Sequence, residues 1–133
     1  MKDRYQIYDD PLRFYDVMLN DISNAREYIY LETYKFGADN IGERFREVLL
    51  RKCREGIRVR MILDSWGTQN TSFFQPLIQE GAEIRFFKKI KIGFDLFTRN
   101  HKRNHRKIMV IDNRISYIGS ANIVEYSFDW REL

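Results

Sequence analysis

The chain has 133 residues, 44% apolar and 15% aromatic, enough for one packed core and too much for a disordered segment. Its net charge of +4 permits an anionic partner without requiring one, and its single cysteine, Cys53, excludes an intrachain disulfide framework. No apolar run reaches the roughly eighteen residues of a membrane helix, and Met1-Lys2-Asp3-Arg4-Tyr5 lacks the apolar stretch of a signal peptide.

Apolar residues at 12, 15, 19 and 22 predict a first helix over Pro11 to Ala25, with Pro11 in the first turn and Asp9 or Asp10 as cap. Tyr28 to Thr33 then reads as a strand. Asn40 to Glu55 carries the clearest helical pattern, since Ile41, Phe45, Val48, Leu49 and Cys53 share one face and Gly56 stands in the usual terminating position. Arg58 to Leu63 predicts a second strand, residues 72 to 80 a short helix stopped by Gly81, and Glu83 to Phe87 a third strand. Lys107 to Ile111 and Ile115 to Ile118 follow each other without a helix and predict an antiparallel hairpin. Helix–strand alternation followed by a hairpin predicts a layered α-β-α domain of the α/β class with a mixed sheet. Residues 1–133 form a single domain in this reading, with no internal repeat or linker.

Residues 88 to 106 differ from the rest. Seven Lys or Arg stand there against one acid, Asp95, and Phe94, Leu96 and Phe97 interrupt them. A long basic connection with an aromatic tip suits a phosphate-bearing partner, either a membrane surface or a nucleic acid. The same segment can also be a solvated loop whose phenylalanines pack on their own domain.

The chemistry gathers just after it. His105 and Lys107 are two apart at the start of a strand and so share a face; Ser120 and Asn122 are two apart beyond the partner strand. A two-residue turn at Asn113-Arg114 sets His105 opposite Asn122 and Lys107 opposite Ser120. A turn at Asp112-Asn113 sets His105 opposite Ser120. Either register puts the four polar groups on one face, whereas a three-residue turn breaks that arrangement. Histidine supplies a nucleophile or an acid–base group, lysine a compact positive charge, and asparagine and serine neutral donors. Phosphoryl transfer needs such donors on its non-bridging oxygens. No carboxylate cluster or Cys/His pair has metal-ligand spacing, so chemistry without a metal or other cofactor is expected.

His105-Arg106-Lys107, then Asp112, then Gly119-Ser120-Ala121-Asn122 resembles the signature of the phospholipase D superfamily at every fixed position. The neighbouring words Asn104 to Ile108 and Tyr117-Ile118-Gly119 resemble bacterial cardiolipin synthases. So do Tyr30 to Tyr34, Gly56 to Arg60 and Leu63-Asp64-Ser65-Trp66-Gly67, which look like the first half of that family. The resemblance runs from about residue 12 to the end. It implies a phosphatidyltransferase or phosphodiesterase with His105 as the nucleophile that becomes a phosphohistidine. Lys107 and Asn122 would hold phosphate oxygens with help from Ser120, while Asp112 would anchor the hairpin; Gly119, a fixed position of the signature, has the plainer reading of a strand glycine that allows close backbone approach. A carboxylate must fix the histidine tautomer. Trp130-Arg131-Glu132 resembles the family's Trp-x-Asp segment and offers Glu132, with Glu125 as the alternative. Glu32 lies near the site by family position, or else serves backbone groups at the end of the first strand.

The family needs two signature copies, because a second histidine protonates the leaving group. This chain has one, and His101 lacks the surrounding lysine and asparagine. The resemblance therefore implies a second signature-bearing half. That half is either a homodimer mate or the C-terminal half of a longer enzyme of which this chain, stopping just after Glu132, is an excised piece, inactive alone. An anionic phospholipid resembling phosphatidylglycerol is the implied substrate, met peripherally at the cytoplasmic face of a membrane. A metal-independent, nuclease-like homodimer acting on nucleic acid is the alternative.

Overall fold

The computed structural model describes residues 6–65, 67, 68, 70–87, 107–119, 122 and 123. Helix α1 spans Pro11–Ser23, with Pro11 in its first turn and the Asp10 carboxylate accepting from the Leu12 N–H at 3.1 Å. Its buried residues Tyr15, Met18, Leu19 and Ile22 follow the i, i+3, i+4, i+7 stripe of a helix packed on one side. Helix α2, Asn40–Arg54, is capped by Asp39, whose carboxylate accepts from the Gly42 N–H at 2.9 Å. Glu43 in its first turn and Arg51, Lys52 and Arg54 in its last complement the helix dipole. Gly56 follows with φ 84°, the left-handed geometry that ends a helix without a Cβ penalty.

The sheet has five strands in the order β3-β2-β1-β4-β5, namely β1 Tyr28–Thr33, β2 Arg58–Asp64, β3 Glu83–Phe87, β4 Lys107–Ile111 and β5 Ile115–Gly119. β1, β2 and β3 are parallel, β4 is antiparallel to β1, and β5 is antiparallel to β4, so the expected mixed sheet and its closing hairpin are both present. Ile29, Leu31, Val59, Met61, Leu63, Met109 and Ile111 point to one face and are buried there with Phe45, Leu49 and Leu77 from the helices. On the other face lie Tyr30, Ile62 and Ile118, all partly exposed.

Two expectations need correction. The helix foreseen over 72 to 80 divides into a 3-10 turn, Thr71–Phe74, and helix α3, Gln75–Gln79. Pro76 has no N–H to give the carbonyl four residues back, so a continuous α-helix cannot run through it. The hairpin also turns in neither of the two-residue ways. Ile111 pairs with Ile115, leaving three residues in the turn, and Lys107 pairs with Gly119 rather than with Ser120. The cause is local: Asp112 and Asn113 both take positive φ, 54° and 55°, and the Arg114 N–H closes on the Ile111 carbonyl at 2.9 Å. Two successive left-handed residues, both of types that tolerate that region, make room for the third.

Candidate active site

The carboxyl ends of β1, β2, β3 and β5 and the beginning of β4 meet at one edge of the sheet, the edge where open α/β sheets hold their ligands. Lys107 opens β4 there. Being in phase with Met109 and Ile111, it points to the helix-covered face, only 8% exposed, into a pocket lined by Phe14, Met18, Thr33, Tyr117 and Ile123. No described residue gives its ammonium a hydrogen bond or an ion pair. Burial alone pushes its pKa down to about 8. Nearby, the Tyr117 hydroxyl donates to the Asp21 carboxylate; burial and that carboxylate push the phenol well above its ordinary value and keep it neutral. Gly119, across the ladder from Lys107, has no described atom within 4 Å of where a Cβ would stand.

Asn122 reaches the same edge by another route. Beyond β5 the chain crosses to the segment after β1. There the Ile123 N–H donates to the Lys35 carbonyl at 3.0 Å, and the Gly37 N–H donates to the Ile123 carbonyl at 2.8 Å. The Asn122 Oδ1 accepts from the Lys35 N–H at 3.1 Å, and its backbone carbonyl accepts from the buried Tyr15 hydroxyl. With Oδ1 accepting from Lys35, the carboxamide nitrogen remains as a donor that has no partner among the described residues. Lys107 and Asn122 thus arrive together at one edge, although the pairing rule that foresaw it does not hold.

Asp112 stands at the opposite end of β4, roughly 16 Å along the strand from Lys107. Its carboxylate accepts from the N–H groups of Arg26 at 2.8 Å, Glu27 at 2.8 Å and Tyr28 at 2.9 Å, which pins the hairpin turn to the start of β1. Burial opposes its charge, but those N–H groups and the nearby Arg114 outweigh burial and hold its pKa below the usual carboxylate range. Glu32 pairs with Ile108, out of phase with Lys107, and so faces the other side of the sheet. His105, Ser120, Glu125, Glu132 and the basic stretch 88–106 lie outside the described residues. Sequence reasoning passed over Lys35, which holds Asn122 through a backbone N–H that carries no sequence motif, and over the hydroxyl of Tyr15, which it read only as a core position.

A family model described as cardiolipin synthase, PLD-like domain matches residues 18–132. The chain belongs to this family. Among its relatives, cardiolipin synthase 1 of Staphylococcus aureus (strain COL) is 40% identical over 111 residues, 82% of this chain and 22% of the relative. The cardiolipin synthase of Listeria monocytogenes serotype 4a (strain HCC23) is 38% identical over 120 residues, 89% of this chain and 25% of the relative. The chain therefore spans about a quarter or less of the length of these relatives. In fold, this PLD-like domain is similar to Nuc from Salmonella typhimurium, a phospholipase D family member, with TM-score 0.64, 19% identity and 84% and 66% of the two chains covered. It is also similar to NucT from Helicobacter pylori, with TM-score 0.62, 21% identity and 92% and 76% covered. No described helix is long and apolar enough to cross a membrane.

Proposed function

We propose that this PLD-like domain is one half of a phosphatidyltransferase or phosphodiesterase site that works through a phosphohistidine on His105. The observation that carries the reading is the pair of donors at the sheet edge. Lys107 offers a desolvated ammonium that no described residue neutralises, and Asn122 offers a carboxamide nitrogen whose direction Lys35 fixes. A buried positive charge is unfavourable unless an anion binds to it, and among the described residues neither a counter-ion for Lys107 nor an atom within 4 Å of a Cβ at Gly119 is found.

In the proposed reaction an imidazole nitrogen of His105 attacks phosphorus. The N–P bond forms as the bond to the leaving alcohol oxygen breaks. Lys107 and Asn122, with Ser120, stabilise the charge gathering on the non-bridging oxygens, and a histidine from a second signature copy gives its proton to the departing oxygen. An acceptor alcohol then attacks the phosphohistidine, loses its proton to that second histidine, and restores His105. Glu132, or in its place Glu125, holds the other ring nitrogen of His105 in the required tautomer. Asp112 takes no part in these steps and anchors the hairpin. Glu32 acts outside the Lys107 face.

The names of the relatives support a phosphatidyl group as the cargo and a second lipid alcohol as the acceptor. The anionic phospholipid would be met from the membrane surface, with the basic stretch 88–106 as the element facing it. The single signature copy favours a second reading, a one-copy homodimer that cleaves nucleic acid. Incubating the chain, with and without a second signature-bearing half, with phosphatidylglycerol and separately with single-stranded DNA in excess chelator decides between them. Cardiolipin formation is expected. DNA cleavage alone would favour the second reading, and full activity in His105→Ala would remove the nucleophile. Loss of all activity in chelator would remove the metal-free route.

A further inference from the structure

Asn122 owes its direction to backbone groups of the segment after β1, and those groups converge on one buried hydroxyl. The peptide groups of residues 34–36 turn alternately to two sides. On one side the Lys35 N–H donates to the Asn122 Oδ1 and the Lys35 carbonyl accepts from Ile123. On the other side the Tyr34 carbonyl accepts from the Thr68 hydroxyl at 3.2 Å, and the Phe36 N–H donates to the same oxygen at 3.1 Å. Thr68 is only 1% exposed, and its hydroxyl is used as donor and acceptor at once. β2 ends its ladder with β1 at the Thr33–Leu63 pair, so this single side chain does for residues 34 and 36 what a further strand residue would do.

Thr68 is itself placed by the end of β2. Its N–H donates to the Asp64 carbonyl at 2.7 Å, and the Gly67 N–H donates to the Asp64 carboxylate at 3.3 Å. Gly67 is glycine for a steric reason, since a Cβ there would stand 2.2 Å from the Tyr34 carbonyl oxygen and push the two segments apart. The turn after β2 is thereby pressed against the Lys35 backbone, on the side away from Asn122.

We propose that Thr68 is a positioning residue for the Asn122 carboxamide, acting across the Lys35 peptide groups without touching the substrate. The proposal rests on the reading of Asn122 as a phosphate clamp for its effect on turnover, but not for its effect on geometry, and the two are measured separately. Thr68→Val keeps the shape and removes the hydroxyl; Thr68→Ser keeps the hydroxyl. In Thr68→Val the Lys35 and Ile123 amides should exchange with solvent about tenfold or more faster than in the parent, consistent with loss of a hydrogen bond of ordinary worth. Amides of the β2–β3 ladder should be little changed, and the carboxamide signals of Asn122 in a nitrogen-15 spectrum should move. Thr68→Ser should restore both. Turnover of bis(4-nitrophenyl) phosphate with the second half present should fall about tenfold in kcat with KM little changed, because a clamp displaced by a fraction of an ångström is a transition-state loss. In an Asn122→Ala background Thr68→Val should cost almost nothing further. Unchanged Lys35 exchange and Asn122 signals in Thr68→Val would overturn the proposal, as would faster exchange throughout the sheet. If the signals move while Asn122→Ala leaves turnover intact, the clamp reading of Asn122 fails and the hold of Thr68 on it stands.

Discussion

Lys107 and Asp112 are two charged residues on one five-residue strand and its turn, and their surroundings treat them in opposite ways. Lys107 is desolvated with no compensating partner among the described residues, so its folded pKa, about 8, lies below the ordinary 10.5. Between those values the unfolded chain binds more protons than the folded one, so stability should rise as pH climbs from about 8 to about 10.5. Lys107→Met keeps the apolar stem and removes the charge. It should raise stability at pH 7 by about 1 kcal/mol, flatten that part of the pH–stability curve, and abolish turnover, the trade-off expected of a residue kept for chemistry. In the parent, kcat/KM should fall as pH rises through about 8, where the free enzyme loses the ammonium. A pH-independent urea midpoint over that window would show that Lys107 is solvated after all. Asp112 is the reverse case: its depressed pKa means stability that is present above the normal carboxylate range and lost as pH falls through the folded value. Asp112→Ala should cost about 1–2 kcal/mol at neutral pH in urea denaturation, through loss of the carboxylate that accepts from three N–H groups and the positive φ that alanine tolerates poorly. Asp112→Asn should lose less, because asparagine tolerates that φ and its one carbonyl oxygen can still accept from Glu27 and Tyr28, although its NH2 cannot accept from Arg26.

At the scale of elements, helix α2 offers a sharp test of which force governs its first turn. Gly42 sits inside the helix, where alanine is ordinarily better by about 1 kcal/mol. A Cβ at Gly42 would stand 1.6 Å from the Gly37 carbonyl oxygen, a backbone atom in the link from β1 to α2 that cannot rotate aside. Overpacking of this kind typically costs about 1–3 kcal/mol, so Gly42→Ala should lower the denaturation midpoint despite its helix propensity. A raised midpoint would mean that the link yields freely. The strands and both long helices were legible in the sequence because burial follows period: Tyr15, Met18, Leu19 and Ile22 for α1, alternation for β1 and β4. The hairpin register was not legible, because it depends on Asp112 and Asn113 both entering the left-handed region, which turn composition permits but does not require. Lys107 was singled out from the signature, yet its burial is visible only once Phe14 and Met18 of α1 are packed against β4. The support of Asn122 by Lys35 was hidden for a different reason: a backbone N–H belongs to every residue but proline and leaves no trace in composition.

For the molecule as a whole, the proposed chemistry sets a stoichiometry. Forming and breaking a phosphohistidine takes one histidine to attack and one to carry the proton, and the sequence has only His101 and His105, in a single signature copy. The chain also spans a quarter or less of the relatives it matches, which leaves room in such proteins for a second copy. Activity should therefore require two signature-bearing halves, whether the second is another copy of this chain or part of a longer protein. At concentrations below their dissociation constant, the rate should rise with the product of the two half-site concentrations and level off once they are paired. Adding His105→Ala chain in excess should poison the parent, because a mixed pair has either the nucleophile or the proton carrier and never both. A rate strictly proportional to the concentration of this chain alone, unaffected by the variant, would mean that one copy suffices and that some other group carries the proton.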